Sequence, residues 1–200
     1  MSNANKTDSS LSSKEDKPNL LLHICCAPCA TYVIELLRGD FDLTAFFYNP
    51  NIQPEAEYNR RRDEVRRLAA LMGFKLICLD QGQEEWLEKV RGWEDEPEGG
   101  YRCQICYKFR LEKSAQYAKE EGFCWYASTL SISPHKQAKV INKIGRGLGE
   151  KHEINFFQAD FKKRDGFKKS CELSNKYELY RQDYCGCLFS LRSEDKEKLS

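Results

Sequence analysis

The sequence predicts an α/β fold, as a single doubly wound domain with a mostly parallel, Rossmann-like sheet and helices on both faces. Short apolar segments alternate along the chain with longer segments of helical pattern. Strands joined by helices of about ten or more residues must run parallel, and such crossovers place helices on both faces of the sheet. The chain has 200 residues, of which 40% are hydrophobic, so it can bury one sizeable core and one main domain is expected.

The first strand and helix set the pattern. The apolar run NLLLHIC at 19–25 predicts a buried strand. A helix is expected at 30–37, starting near Pro28 and stopping at Gly39, because proline favours the first turn of a helix and glycine its end. LTAFFY at 43–48 predicts the second strand.

The middle of the chain repeats this alternation. A long helix is expected at 55–72, between Pro54 and Gly73, which provide its start and stop signals. KLICL at 75–79 predicts the third strand, and a short helix is expected at 84–91.

The last third of the chain supplies two more strands. Helix is expected at 103–120 and from Pro134 to about 148, with strands at 124–128 (CWYAS) and 154–159 (INFFQA). A final helical region is expected after Ser170. Carboxyl ends of parallel strands meet at one edge, so ICCAPC, YNPN and STLSISP should share a rim where ligands bind.

The two ends of the chain are expected to lie outside the folded domain at 19–191. Residues 1–18 are rich in Ser, Asn, Asp and Lys and predict a disordered tail, and residues 192–200 predict a short solvated one. No segment approaches the roughly 18 apolar residues of a membrane span, and the amino terminus lacks the apolar centre of a secretory signal. A cytoplasmic protein is therefore expected.

Ten cysteines are the unusual feature of the composition. Three tight groups contain most of them: CCAPC at 25–29, CQIC at 103–106 and CGC at 185–187. Because intracellular thiols stay reduced, such groups indicate metal binding or redox chemistry rather than a disulfide framework. The isolated residues are expected to be small buried hydrophobes: Cys78, Cys124 and Cys171.

The first two groups have spacings that suit a metal. Cys103 and Cys106 can share one side of a helical turn, and Cys26 and Cys29 have the same spacing. Cys25 reaches the same centre as its neighbour only if the chain turns there. Zinc and an iron-sulfur cluster both bind thiolates, and the residues alone do not separate them. The surplus of thiols favours electron transfer.

The CGC group predicts a redox-active pair. A disulfide needs Cα atoms about 4.4–6.8 Å apart, which Cys185 and Cys187 can meet only if the backbone bends sharply at Gly186. The resulting small ring is expected to be strained and easily reduced. Two metal ligands or two idle thiols are the alternatives.

Charge is segregated along the chain, although the formal net charge is only +1. Basic residues concentrate in 60–67, 136–151 and 162–169, and acidic residues in 84–98. Such segregation permits a basic face for a polyanion such as RNA. An ordinary solvated helix surface is the alternative for each run.

Six segments resemble, in the same order, the blocks of the QueH family of epoxyqueuosine reductases: HICCAPC, YNPNIQPEAEYNRR, RCQICYKFRL, STLSISPHK, QADFKKRDGFKKS and YRQDYCGCLFS. The resemblance extends from about His23 to Ser190. It implies an oxidoreductase of queuosine biosynthesis that reduces epoxyqueuosine to queuosine at the wobble position of tRNA. It also implies a 4Fe-4S cluster, with an additional iron as an option, no cobalamin, and an external electron donor.

Matched residue by residue, the resemblance also implies roles for the thiols. Four cluster ligands are implied: Cys25, Cys26, Cys103 and Cys106. Cys185 and Cys187 would be the catalytic redox pair. Cys29, with Asp183 or Asp160 as an oxygen ligand, is a weaker candidate for a site-differentiated cluster or a second iron.

The proposed chemistry is consistent with these residues. Removing an epoxide oxygen consumes two electrons and two protons, and a dithiol that closes to a disulfide supplies two electrons. An iron with an open coordination position can act as a Lewis acid on that oxygen. Tyr184 and Asp183 are candidate proton donors. No glycine-rich nucleotide-binding fingerprint follows the first strand, so the electrons must come from an external donor.

For tRNA, the basic runs are expected to contact phosphates while a splayed wobble nucleotide enters a pocket near the cluster. The expected lining consists of Tyr48, Asn49, Tyr101, Tyr107, Ser131 and His135. The alternative function is a zinc-stabilised RNA-binding module without catalysis, which would leave the CGC pair idle.

Overall fold

A computed structural model describes residues 17–191, so residues 1–16 and 192–200 of the two expected tails lie outside the described residues. Five strands are present in this part: β1 (Asn19–Ile24), β2 (Asp42–Phe47), β3 (Lys75–Cys78), β4 (Trp125–Ser128) and β5 (Asn155–Phe156). They form one sheet in the order β3-β2-β1-β4-β5, and every neighbouring pair runs parallel. The doubly wound parallel sheet expected from the sequence is confirmed.

Helices connect the strands as expected: α1 (Ala27–Leu37), α2 (Glu55–Met72), α3 (Gln83–Val90), α4 (Tyr101–Glu120), α5 (Ala138–His152) and α6 (Gly166–Lys176). The end of α2 shows why the bounds were predictable, because Gly73 adopts the left-handed conformation (φ 66°) and its N–H donates to Ala69 O at 2.9 Å. Within residues 17–191 no helix combines the length and the apolar character needed to cross a membrane.

The central strand β1 is buried on both faces. Leu20, Leu22 and Ile24 pack in the layer that contains α1 and α2. Leu21 packs in the opposite layer, with α4 and α5. The alternation follows from the two-residue period of a strand, and each fully buried leucine contributes about 1.5–3 kcal/mol to folding.

Three expected bounds were wrong. The final helix begins at Gly166, before Ser170 rather than after it, and Ser170 fits within the helix because its hydroxyl donates to Phe167 O at 2.8 Å. The fifth helix begins at Ala138 rather than Pro134, because residues 133–136 form a turn in which Lys136 N–H donates to Ser133 O at 3.2 Å. The fifth strand covers two residues rather than 154–159. Its partner β4 ends at Ser128, where the chain turns into a 3-10 helix (Thr129–Ile132), so there is little strand edge left to pair with.

The order of the strands fixes where a ligand can bind. The chain moves from β1 to β2 on one side and later returns to place β4 on the other side of β1. Crevices in doubly wound sheets form at this reversal, beyond the carboxyl ends of the strands. Cys25 directly follows β1, and Thr129 directly follows β4.

Candidate metal and redox site

A cavity of about 360 Å³ opens at this reversal. Its volume lies within the range of about 300–1,000 Å³ that is typical of small-molecule sites. Six thiols from all three cysteine groups line it: Cys25, Cys29, Cys103, Cys106, Cys185 and Cys187. Cysteines that are far apart in the sequence therefore line the same cavity.

The first group forms a compact set of sulfurs. The Sγ atoms of Cys25, Cys26 and Cys29 all lie within 4.8 Å of one another. The chain leaves the extended conformation after Cys26, and α1 begins at Ala27 with Pro28 in its first turn. Side chains that would point to opposite faces of a straight strand therefore meet at one point. Three thiols this close together suit a single thiophilic metal centre.

The second group lies in the first two turns of α4. Cys103 and Cys106 are both buried on the helix face that borders the cavity. Cys103 Sγ accepts a hydrogen bond from Gly99 N–H at 3.2 Å, and Cys106 packs with Trp86 and Cys187. Among the described residues, neither sulfur belongs to the mutually close set of the first group.

Buried arginines surround these thiols. Arg61, Arg102 and Arg110 line the cavity, and each is at most 3% exposed. Arg61 pairs with Glu57 at 2.6 Å, whereas Arg102 and Arg110 have no carboxylate partner within residues 17–191. A buried cation without a counter-ion is destabilising. The cavity wall is therefore complementary to an anionic group, such as thiolates or a thiolate-bound cluster.

The two thiols of the CGC group differ in acidity. A hydrogen bond from Cys187 and the nearby ammonium of Lys136 hold the pKa of Cys185 well below its usual range. The same hydrogen bond raises the pKa of Cys187. The thiolate is the reactive form of cysteine, so this hydrogen bond favours a thiolate at Cys185 over one at Cys187.

The CGC segment is held by contacts from α2 and the segment before it. Gly186 adopts φ 106°, a conformation that favours glycine, and its carbonyl accepts from Gln53 N–H at 2.8 Å. Arg61 donates to the carbonyls of Tyr184 and Cys185 at 3.1 and 3.2 Å. The sharp bend expected at Gly186 is present, and Arg61 holds the backbone on its amino-terminal side.

Only some of the residues expected at the site line the cavity. Asp183 lines the cavity, but Asp160 does not and instead pairs with Lys162 at 3.4 Å. Tyr107 and His135 line the cavity as expected. The other four residues expected in the lining are absent from it. Tyr48, Asn49 and Ser131 are buried elsewhere, and Tyr101 is exposed.

The three isolated cysteines were expected to be buried, and this was wrong. Cys124 is exposed, and Cys78 and Cys171 are partly exposed. None of them lines the cavity. Their distance in sequence from other cysteines places them outside the thiol groups, but it does not predict whether they are buried.

Sequence reasoning missed three groups that face the thiols. Gln182 Nε2 donates to Cys26 Sγ at 3.0 Å, and Lys136 and Trp86 line the cavity wall. Lys136 follows the STLSISP segment, which was expected at this rim, by two residues, so its position could have been inferred. No sequence signal marked Gln182 or Trp86, because their contacts depend on how distant segments pack.

Comparisons with known proteins find relatives that match most of this chain. The family model described as Epoxyqueuosine reductase QueH matches residues 20–193. The chain is 40% identical over 184 residues to an epoxyqueuosine reductase QueH of Streptococcus pyogenes serotype M1, covering 89% of this chain and 72% of that protein. It is 38% identical over 182 residues to that of Thermotoga maritima, covering 90% and 93%.

Solved structures share the fold at low sequence identity. The U34-tRNA thiolase NcsA from Methanococcus maripaludis, with its 4Fe-4S cluster, superposes with a TM-score of 0.57 at 12% identity, covering 92% of this chain and 64% of that one. A predicted subunit of tRNA methyltransferase from Methanocaldococcus jannaschii gives 0.53 at 14% identity, covering 78% and 75%. At such identities the likeness concerns the fold alone. The family match and the identities over nearly the whole described domain show that this chain belongs to the QueH family of epoxyqueuosine reductases.

Proposed function

We propose that this chain reduces epoxyqueuosine in tRNA to queuosine, using an iron-sulfur centre and the Cys185–Cys187 pair, and without cobalamin. Membership of the family supports the reaction. The observation that carries the rest is the cavity itself, whose wall combines six thiols with three buried arginines. The alternative, a zinc-stabilised RNA-binding module without catalysis, is not favoured because it gives the CGC pair no role.

The donor set fits a 4Fe-4S cluster. Such clusters are held by cysteine thiolates, and the cavity offers soft sulfur donors with cations behind them to balance the negative charge. The proposed ligands come from Cys25, Cys26, Cys103 and Cys106. The 4.8 Å set of sulfurs supports Cys29 as an alternative ligand. When bound, the cluster supplies one-electron transfer and a Lewis-acidic iron.

An additional iron would need further ligands. Asp183 borders the cavity and has the oxygen atoms that such an iron accepts, which supports it over Asp160. Asp183 and Tyr184 both line the cavity and remain the candidate proton donors. The hydroxyl of Tyr184 donates to Gln53 O at 2.5 Å, and burial raises its pKa.

The thiol pair can supply the two electrons and two protons that one turnover consumes. When Cys185 and Cys187 close to a disulfide, one S–S bond forms and two electrons and two protons are released. Removal of the epoxide oxygen breaks two C–O bonds, leaves a carbon-carbon double bond, and consumes the same two electrons and two protons as the oxygen leaves as water. A reducing dithiol or a reduced iron-sulfur protein then reopens the disulfide.

The test is an anaerobic single turnover with protein that has been reduced by a dithiol and then freed from the reductant. Wild-type protein should convert about one equivalent of epoxyqueuosine-containing tRNA, with the nucleosides identified by mass spectrometry. Cys185→Ser and Cys187→Ser should lose this conversion, whereas Cys124→Ser, which changes an exposed thiol outside the cavity, should keep it. Full conversion by Cys185→Ser would remove the pair from the mechanism.

A further inference from the structure

Two basic runs of similar composition have different surroundings in the structure. All five arginines of the run at 60–67 have partners within the protein. Arg61 is buried, and the guanidinium carbon (Cζ) of Arg60 lies 3.4 Å from the centroid of the Tyr180 ring. The other three bind carboxylates, and one of them also binds backbone carbonyls: Arg62, Arg66 and Arg67.

The run at 162–169 keeps exposed cations. Lys163, Arg164 and Lys168 are exposed, and within residues 17–191 no acidic side chain lies within ion-pair distance of them. Lys162 pairs with Asp160, and Lys169 lies over the Tyr32 ring at 5.4 Å. Arg164 and Asp165 both adopt left-handed backbone conformations (φ 53° and 61°), which persist only where the surrounding structure holds them and which concentrate at ligand-binding segments.

This run borders the cavity. Phe167 and Ser170, in the first turns of α6, line the cavity wall. Consecutive Cα atoms are about 3.8 Å apart, so Arg164 and Lys168 lie within about 11 Å of a lining residue along the chain. Lys162 Nζ also donates to the backbone carbonyl of Lys136, whose side chain lines the cavity, at 2.9 Å.

Acidic residues also border the cavity. The acidic segment at 94–98 lies next to the wall, and Glu98 itself lines the cavity. Phosphates are attracted to the exposed cations of the run at 162–169. A single nucleotide cannot enter a cavity without bringing its flanking phosphates to the opening, so exposed cations next to the cavity lie where such phosphates would pass.

We infer that Lys163, Arg164 and Lys168 form the phosphate-binding surface for the RNA strand whose nucleotide enters the cavity, and that the arginines of α2 do not. This inference rests on the proposed function, because it takes the occupant of the cavity to be a nucleotide of tRNA. It differs from the expectation that the basic runs at 60–67, 136–151 and 162–169 all contact phosphates, because it excludes the run at 60–67. The protein would thereby hold the backbone on the α6 side while the thiols act on the base.

The experiment compares two charge reversals of equal size in the full-length protein. One is Lys163→Glu with Arg164→Glu, and the matched control is Arg60→Glu with Arg66→Glu. The dissociation constant for epoxyqueuosine-containing tRNA is measured against salt concentration, and circular dichroism checks that each variant folds. If either pair fails to fold, the corresponding Gln variants replace it.

We expect the first pair to weaken binding about tenfold or more at low salt and to lower the slope of log K against log salt by about 1.4, from two lost contacts to single-stranded RNA. The control should stay within about threefold of wild type, since Arg60 already contacts the Tyr180 ring and Arg66 is already paired with Asp63. At saturating tRNA, single-turnover reduction by the first pair should match wild type.

Three outcomes would overturn the inference: unchanged binding by the first pair, equal weakening by both pairs, or a loss confined to the control. Failure of the proposed function is distinguishable from these, since wild-type protein would then bind the tRNA without reducing it. A wild type that reduces epoxyqueuosine, combined with a first pair that binds normally, contradicts the surface and leaves the function intact.

Discussion

Replacing Arg61 with methionine should lower the free energy of unfolding more than replacing any exposed arginine on the same helix. The Arg61 side chain is 1% exposed, and its guanidinium binds Glu57 at 2.6 Å as well as the carbonyls of Tyr184 and Cys185. Methionine preserves much of the apolar stem but removes every donor. The substitution therefore leaves a carboxylate and two carbonyls without their partner.

The magnitude follows from these contacts. Breaking a buried ion pair by removing one partner costs about 3–5 kcal/mol, and a buried carbonyl left unpaired costs about 1–3 kcal/mol. The terms overlap, since Glu57 is 10% exposed and still accepts from the hydroxyl of Tyr180 at 3.0 Å. We expect Arg61→Met to lower the free energy of unfolding by about 3–5 kcal/mol in total.

Urea denaturation of the metal-free protein measures this loss. Arg66→Met is the matched control, because Arg66 lies on the same helix in an exposed pair with Asp63 at 3.2 Å, and its loss should stay within about 0.5 kcal/mol. Adding Glu57→Gln to Arg61→Met should recover about 1 kcal/mol or more, since it removes the stranded charge. A loss for Arg61→Met no greater than that of the control would refute the role of Arg61 in holding the CGC segment.

Three further predictions concern the site and its support. Lys136→Gln should shift the pH at which iodoacetamide modifies Cys185 upward, because one cause of the lowered thiol pKa is removed; an unchanged pH profile would contradict this. Burial and the charge of Arg110 lower the pKa of His23 to about 4. The stability that neutral His23 contributes is therefore fully present above pH 6.5, and the free energy of unfolding should fall by about 3 kcal/mol as the pH drops toward 4. His23→Gln should flatten that dependence in pH-resolved denaturation, and an equally steep curve would show that other groups cause it. Gly186→Ala should destabilise the protein by about 1–2 kcal/mol, since φ is 106° and an added Cβ would lie 2.9 Å from the Ile52 side chain; wild-type stability in thermal melts would be inconsistent with that strain.

Much of the fold follows from local pattern. The buried strand β1 could be predicted from the mostly apolar residues at 20–24, because a strand buried on both faces needs apolar residues on both sides. The meeting of the strand ends at one rim followed from parallel pairing, and it correctly directed attention to Cys25 and the STLSISP segment. These inferences needed only periodicity and chain connectivity.

The rest depended on contacts between distant segments. The compact sulfur set of Cys25, Cys26 and Cys29 requires the chain to leave the extended conformation directly after Cys26, where α1 begins at Ala27. Arg61 belongs to a run that suggested a solvated or RNA-binding surface, yet it is buried against a segment more than 120 positions away. Sequence periodicity does not contain that information, since a buried and an exposed arginine look the same in a helical run.

The central claim is that thiols of the first two sequence groups hold an iron centre that carries electrons, next to the thiol pair of the third group. The most direct measurement is electron paramagnetic resonance of anaerobically purified protein before and after reduction, together with iron and acid-labile sulfide analysis. We expect bound iron and sulfide in equal amounts and a signal that changes on reduction, both lost when Cys25 and Cys26 are replaced by serine. A colourless protein that contains zinc and gives no signal in either state would contradict the account.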